Sequence, residues 1–217
     1  DVTTAFSCQL LTGPTSRDIL AGCCDADLAA PWLTHQPAQI AGKTVRLARV
    51  SFAGELGWEI HTQVADTPAV YDAVMAAGQS LGLKPFGMFA LNSLRIEKGY
   101  RAWKGDLSTD YTMLEAGLDR FVKLDKPQDF SGKAAIRAEL QKGVSRKFAV
   151  LTLDTTPEAD APYMATIWHD GQIVGETTSG AYGYRVGTSV ALGMVRSDLC
   201  KPGTQVEIEI YGQRHDA

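Results

Sequence analysis

The feature that most constrains the fold is a change of pattern near residue 144. Before it, stretches with helical spacing of apolar residues are interleaved with extended ones; after it only short extended runs remain, at 147–153, 163–168, 172–178, 189–195 and 205–211. Apolar recurrence at three and four residues marks an amphipathic helix, and alternation marks a half-buried strand, so the two parts need different architectures. Their order predicts an α+β chain: a mixed sheet-and-helix domain over residues 1–143, then a small all-β, barrel-like domain over 144–217. A chain of 217 residues is long enough for two small cores or one large one.

The elements follow from local signals. A strand over Val2–Leu11 runs into a helix that Pro14 opens and Gly22 closes, with Gly22 in the left-handed position after a helix C-terminus. Residues 25–42 carry Pro31 and Pro37 and read as loop with at most one helical turn. Thr44–Phe52 and Trp58–Thr62 form a bent strand pair, broken by Gly54-Glu55-Leu56-Gly57. Asp66 is the expected cap of a helix whose stripe is Val70, Tyr71, Val74, Met75 and Ala77. A second helix spans residues 87–98 and ends on Lys98-Gly99. Thr112 and Glu115 fit a capping box that opens a short helix, residues 121–124 read as a strand, and residues 131–142 as a helix. Asp170-Gly171 favours a tight hairpin.

Composition narrows the function. Hydrophobic residues are 45% and charged residues 21%, which suits a folded globular chain. The net charge of −4 and a pI near 5.6 offer no basic footprint for nucleic acid or an acidic membrane surface. Apolar runs such as Phe148–Leu151 fall far short of the roughly 18 residues that span a bilayer, and no signal peptide is visible. Cys8, Cys23, Cys24 and Cys200 form no C-x-x-C and read as reduced, largely buried thiols of a reducing compartment. Gly42-Lys43-Thr44 is not a phosphate loop, because Pro37 stands where its first glycine is required. Dinucleotide, serine-hydrolase and zincin motifs are missing, and the four histidines are isolated, so no metal site is expected.

Two clusters carry chemistry. In Phe52–His61, two glycines and two carboxylates lie between strand halves, and an extended backbone puts Glu59 and His61 on one side. A carboxylate there can accept two parallel hydrogen bonds from a planar amidine-like edge, as a pterin or guanine presents. The same residues also fit a plain hairpin with exposed acids. In Asn92–Asp106, a helix end delivers Arg95, Lys98 and Arg101, which can meet an anionic tail, and Tyr100 or Trp103, which can stack on a ring. A solvated helix face with one packed aromatic fits equally.

Taken together, GPTSRDIL, GELGWEI, ALNSLRIEKGYRAWKGD, LEAGLDRFVKLDKPQDFSGKAAI, VGETTSGAYG and SVALGMV occur in the order and spacing of one family. The chain resembles the folate-dependent aminomethyltransferase (glycine cleavage T-protein) family over essentially its whole length. KGYRAW-x-GD and K-P-x-D-F-x-G-K resemble most the folate domains of dimethylglycine and sarcosine dehydrogenases or oxidases. The resemblance implies a tetrahydrofolate cofactor and a methylated amine substrate, whose one-carbon unit is captured as methylenetetrahydrofolate. It also implies an upstream flavin domain with FAD in the same polypeptide, and a cytoplasmic location, or the mitochondrial matrix in a eukaryote. By position Glu59 matches the glutamate that grips the pterin edge, Phe52 a tyrosine beside the folate, and His61 another aromatic, while Arg95 and Tyr100 complete the expected cofactor-binding set. Two departures matter. Leu91 replaces an arginine of glycine-cleavage members, which argues against a stand-alone aminomethyltransferase serving a lipoyl carrier. The family's catalytic aspartate would lie before Asp1, so the folate domain is expected to be N-terminally incomplete and inactive alone; a non-catalytic binding relative is the remaining alternative.

Overall fold

The computed structural model describes residues 1–154 and 159–217. These form two compact units, Asp1–Leu91 and Asn92–Ala217. In the first, β1 (Phe6–Thr12), β2 (His35–Ile40), β3 (Lys43–Ala48) and β4 (Gly57–Gln63) make an antiparallel sheet in the order β1-β4-β3-β2. Helices α1 (Ser16–Ala21) and α2 (Thr67–Gly78) belong to the same unit. Alternation along the strands sends Leu11, Val45, Leu47, Trp58 and Ile60 into a core with Ile19, Leu20, Val70 and Val74 of the helices. Cys8, Arg46, Glu59 and His61 alternate onto the opposite face of the sheet.

The region read as loop contains β2. Pro37 reads as a strand breaker, but β2 is an edge strand whose ladder runs to β3, with one further bridge from Ile40 to Cys24, and a residue without an N–H is tolerated on its open side. The β2–β3 connection is Ala41-Gly42, with φ of +52° and +69°. That is the backbone of a type I′ turn, and it gives Gly42 a purely structural role. An alanine is strained there. Ala41→Asn is expected to raise stability by about 1 kcal/mol, read as a higher thermal midpoint.

Other expectations are corrected locally. Gly22 follows α1 with φ of −81°, right-handed rather than left-handed. Asp66 makes no side-chain cap to α2; it holds Lys43 instead, at 2.9 Å. The Thr112–Glu115 capping box does form, with backbone N–H bonds of 3.0 and 3.2 Å. It leads to a single turn, because Gly117 turns left-handed at φ +64°. Residues 121–124 form no strand: a 3₁₀ turn spans Asp119–Phe121, and Phe121 is exposed under the Arg120 guanidinium.

The second unit holds the C-terminal part of α3 (Met88–Glu97), then α4 (Lys133–Lys142) and a six-stranded antiparallel sheet. Its strands are β5 (Arg146–Thr152), β6 (Thr166–His169), β7 (Gln172–Gly183), β8 (Thr188–Arg196), β9 (Glu207–Ile210) and β10 (Gln213–Asp216), in the order β10-β9-β6-β7-β8-β5. The extended run at 205–211 is thus divided from a further strand by Tyr211-Gly212, a second left-handed pair. Asp170-Gly171 makes the tight hairpin between β6 and β7. Asp154 N–H donates to Asp216 O at 3.0 Å, joining the chain after β5 to β10 and drawing the two edges together as a barrel requires. Leu153, Ile167, Ala191, Val195, Ile208 and Ile210 fill the interior.

Candidate functional site

The candidate site of the first unit is built by two hydrogen-bonded motifs. The carbonyl of Leu56, in the GELG loop, accepts from Gly13 N–H at 2.8 Å and from the Thr12 and Ser16 hydroxyls at 3.3 and 3.2 Å. Gly57 permits this approach: a Cβ there would lie 3.0 Å from Leu11 O. The loop is therefore tied to the β1–α1 turn, and β4 leaves it in one register. That register puts Cys8 opposite His61, and Leu10 opposite Glu59, with Arg46 and Ala48 on the other side. Glu59 and His61 lie on the same face, as the alternation predicts, with Glu59 Oε2 3.0 Å from His61 Nε2. Phe52 sits partly exposed in the loop that enters β4.

Cys8 is the residue that sequence logic missed. The expectation of largely buried thiols fails most clearly at Cys8, which is exposed with its Sγ 3.8 Å from His61 Nε2, while Cys23, Cys24 and Cys200 are half-buried. Neighbours that partly shield the sulfur from water push its pKa up to about 11, and the Glu59 carboxylate adds to the shift. The sulfur, the imidazole nitrogen and a carboxylate oxygen all lie within 4.8 Å of one another. The available signal was the matching alternation of Cys8-Gln9-Leu10 and Glu59-Ile60-His61, which becomes informative once the strands are paired.

Arg95 and Tyr100 lie in the second unit. Arg95 is buried and spends its donors internally: on Asn92 Oδ1 at 2.9 Å, Tyr100 O at 3.0 Å, Asp106 Oδ2 at 2.5 Å and Ser179 Oγ at 2.7 Å. Asp106, fully buried, also accepts from Ala102 N–H at 2.8 Å and the Thr178 hydroxyl at 2.5 Å. A β-bulge between Thr177 and Ser179 lets the consecutive residues Thr178 and Ser179 both serve this network. Tyr100 follows a left-handed Gly99, and its N–H donates to Arg95 O, so the helix end and the ion pair hold its backbone. Arg101 stacks on Phe148 at 3.9 Å, while Lys98 and Trp103 are exposed.

Two antiparallel sheets with helices, the second closing as a small barrel, and a carboxylate-bearing sheet face define a two-unit α+β protein with a polar site on strand β4. The GCVT N-terminal domain family matches residues 1–126, and the glycine cleavage T-protein C-terminal barrel domain family matches 146–217. The chain belongs to the folate-dependent aminomethyltransferase (glycine cleavage T-protein) family. It is 40% identical over 210 residues to mitochondrial dimethylglycine dehydrogenase of Homo sapiens, covering 95% of this chain and 24% of that protein. It is 35% identical over 213 residues to an aminomethyltransferase of Saccharopolyspora erythraea, covering 98% of this chain and 58% of that one. The solved glycine cleavage system aminomethyltransferase T of Bartonella henselae superposes with a TM-score of 0.84 at 27% identity, over 97% of this chain and 57% of its own. The chain thus spans about a quarter of the dehydrogenase and less than three fifths of the transferases. No helix among the described residues is long and apolar enough to cross a membrane.

Proposed function

We propose that this chain is the tetrahydrofolate-binding, one-carbon-transfer module of a larger FAD-linked demethylating dehydrogenase or oxidase. The substrate class is a methylated glycine or related amine, oxidised by a flavin domain of the same polypeptide. The one-carbon unit so released is captured as methylenetetrahydrofolate. The proposal takes residues 1–143 as a partial folate-binding domain and 144–217 as the barrel, which the family matches over 1–126 and 146–217 support. The mitochondrial dehydrogenase relative supports a mitochondrial-matrix location in a eukaryote, and the aminomethyltransferase relative a cytoplasmic one in a bacterium.

The observation that carries the proposal is the carboxylate of Glu59, partly exposed on a sheet face and bonded through one oxygen to His61. An ionised carboxylate has about four acceptor positions, so it can keep His61 and still take two N–H donors from a pterin edge. Phe52 supplies an aromatic ring in the adjoining loop, and His61 orients the carboxylate. Tyr100, in the second unit, is proposed by itself as an aromatic folate contact, its carbonyl accepting from Arg95 Nη1, while Arg95 is spent on internal partners. Folate, when bound, supplies the nitrogen that takes up the one-carbon unit. This chain's residues bind and orient it, and the 217 residues alone are proposed not to turn over.

Calorimetric titration of tetrahydrofolate tests the assignment. Glu59→Gln exchanges charge-assisted hydrogen bonds for neutral ones and is expected to cost about 1.5–3 kcal/mol. That is a loss of roughly 10- to 150-fold in affinity. Equal affinity of the two proteins would remove Glu59 from the site.

A further inference from the structure

We propose that Cys8, Glu59 and His61 form a binding site for a thiophilic divalent cation, Zn²⁺, and that the ion and a bound pterin compete for Glu59. The second half of this rests on the folate reading above; the first half does not.

Thiolate, imidazole and carboxylate are the three side chains that zinc takes in proteins, with bonds of about 2.3, 2.0–2.1 and 2.0–2.2 Å. In a tetrahedron those bond lengths place sulfur and nitrogen roughly 3.6 Å apart, and nitrogen and oxygen roughly 3.4 Å apart. Here the separations are 3.8 Å for Cys8 Sγ to His61 Nε2 and 3.0 Å for His61 Nε2 to Glu59 Oε2. The third separation, Cys8 Sγ to the Glu59 carboxylate, lies within 4.8 Å, against roughly 3.6 Å in a tetrahedron, so rotation of these partly exposed side chains by up to about an ångström brings all three onto one ion. The fourth position faces outward, because the side chains of His61 and Glu59 are 38% and 34% exposed.

Without a metal, Nε2 of His61 cannot serve both of its neighbours at once. Nε2 of His61 is the near atom for both neighbours. With a proton on Nε2 it bonds Glu59 and leaves the Cys8 thiol without an acceptor there. Without that proton it accepts from the thiol but sets its lone pair against the carboxylate at 3.0 Å. A cation removes the conflict, since all three atoms become donors of electron pairs to one centre. Arg46, the register partner of His61 on β3, is engaged with His35 on β2, its Nη1 3.3 Å from Nδ1. On binding, the S–H bond of Cys8 breaks as the Zn–S bond forms, and the proton passes to solvent. His61 binds through the Nε2 lone pair with its proton on Nδ1, and no group changes oxidation state. Soft thiolate with imidazole selects zinc over magnesium or calcium.

The test uses the purified 217-residue chain, metal-free and reduced without added thiols. Co²⁺ is the spectroscopic probe, and Zn²⁺ affinity is read by competition with a chromogenic chelator. The expected result is one equivalent of Co²⁺ giving a near-ultraviolet thiolate charge-transfer band that Zn²⁺ abolishes. Cys8→Ser should remove the band and weaken Zn²⁺ binding by roughly 100-fold, and His61→Gln by at least tenfold. Cys24→Ser, a control thiol, should change neither. An absent band, or one that survives in Cys8→Ser, would overturn the site. For competition, saturating Zn²⁺ should weaken tetrahydrofolate binding about tenfold or more in the parent chain but not in Cys8→Ser. An unchanged folate affinity at full zinc occupancy would overturn the sharing of Glu59. A parent chain that binds Co²⁺ with the band but no folate would refute the folate reading and leave the metal site standing.

Discussion

Asp106→Ala is expected to destabilise the second unit by about 3–5 kcal/mol, the range for removing one partner of a buried ion pair. The side chains of Arg95 and Asp106 are 5% and 0% exposed, so the guanidinium left behind has no water to take the place of the carboxylate. The loss is compounded, because Ala102 N–H and the Thr178 hydroxyl lose their acceptor as well. A chemical denaturation midpoint followed by circular dichroism measures it. The pair itself need not be strongly stabilising. Arg95→Met combined with Asp106→Leu is therefore expected to be less destabilised than Asp106→Ala alone, because no unpaired charge remains. If the double variant proved worse, the network would be acting through Ser179 and Tyr100 O rather than through charge compensation.

Trp58→Ala is expected to cost the first unit about 3–5 kcal/mol. Trp58 is 1% exposed and is among the largest fully buried side chains, packed with Leu11, Ile19, Leu47, Ile60 and Val70. Removing the indole leaves a cavity that β4, held between β1 and β3, cannot close. Trp58→Phe, which keeps most of the apolar volume, is expected to lose less than half as much. Trp58 directly precedes Glu59 on β4 and faces the other way, so core loss reaches the site only through the strand. Tetrahydrofolate affinity should fall in Trp58→Ala and be nearly unchanged in Trp58→Phe; the reverse order would place Trp58 itself at the ligand.

Much of this was legible in the residues. The Val70 and Val74 stripe of α2, on which Tyr71 proves exposed, the Gly99 helix end and the Asp170-Gly171 hairpin rest on interactions within about ten residues of chain, which the sequence displays directly; the extended runs after residue 144 show in their alternation, although Arg146 pairs as far away as Arg196. The face shared by Glu59 and His61 follows from strand periodicity alone. β2 was hidden because Pro37 looks like a strand breaker until the strand is known to be an edge. The strand expected at 121–124 had suitable alternation but finds no strand to pair with among the described residues. Arg95 looked like a ligand for an anion because its internal partners Asp106 and Ser179 lie 11 and 84 residues away.

Local periodicity, capping and turn chemistry thus determined most of the elements, their order, and which side chains share a face, because each depends on a residue's near neighbours, whereas β2 and residues 121–124 were decided by whether a partner strand lies alongside. Only the tertiary structure decided register. Alternation with a period of two is satisfied equally by any shift of two residues, so it cannot say whether Cys8 meets His61 or Glu59. The tie between Leu56 O and the Gly13–Ser16 turn, with Trp58 and Ile60 packed beneath the sheet, selects one pairing. That choice brings together a thiol and an imidazole 53 residues apart, and through the bulge at Thr178 a second choice of register completes the surroundings of Asp106.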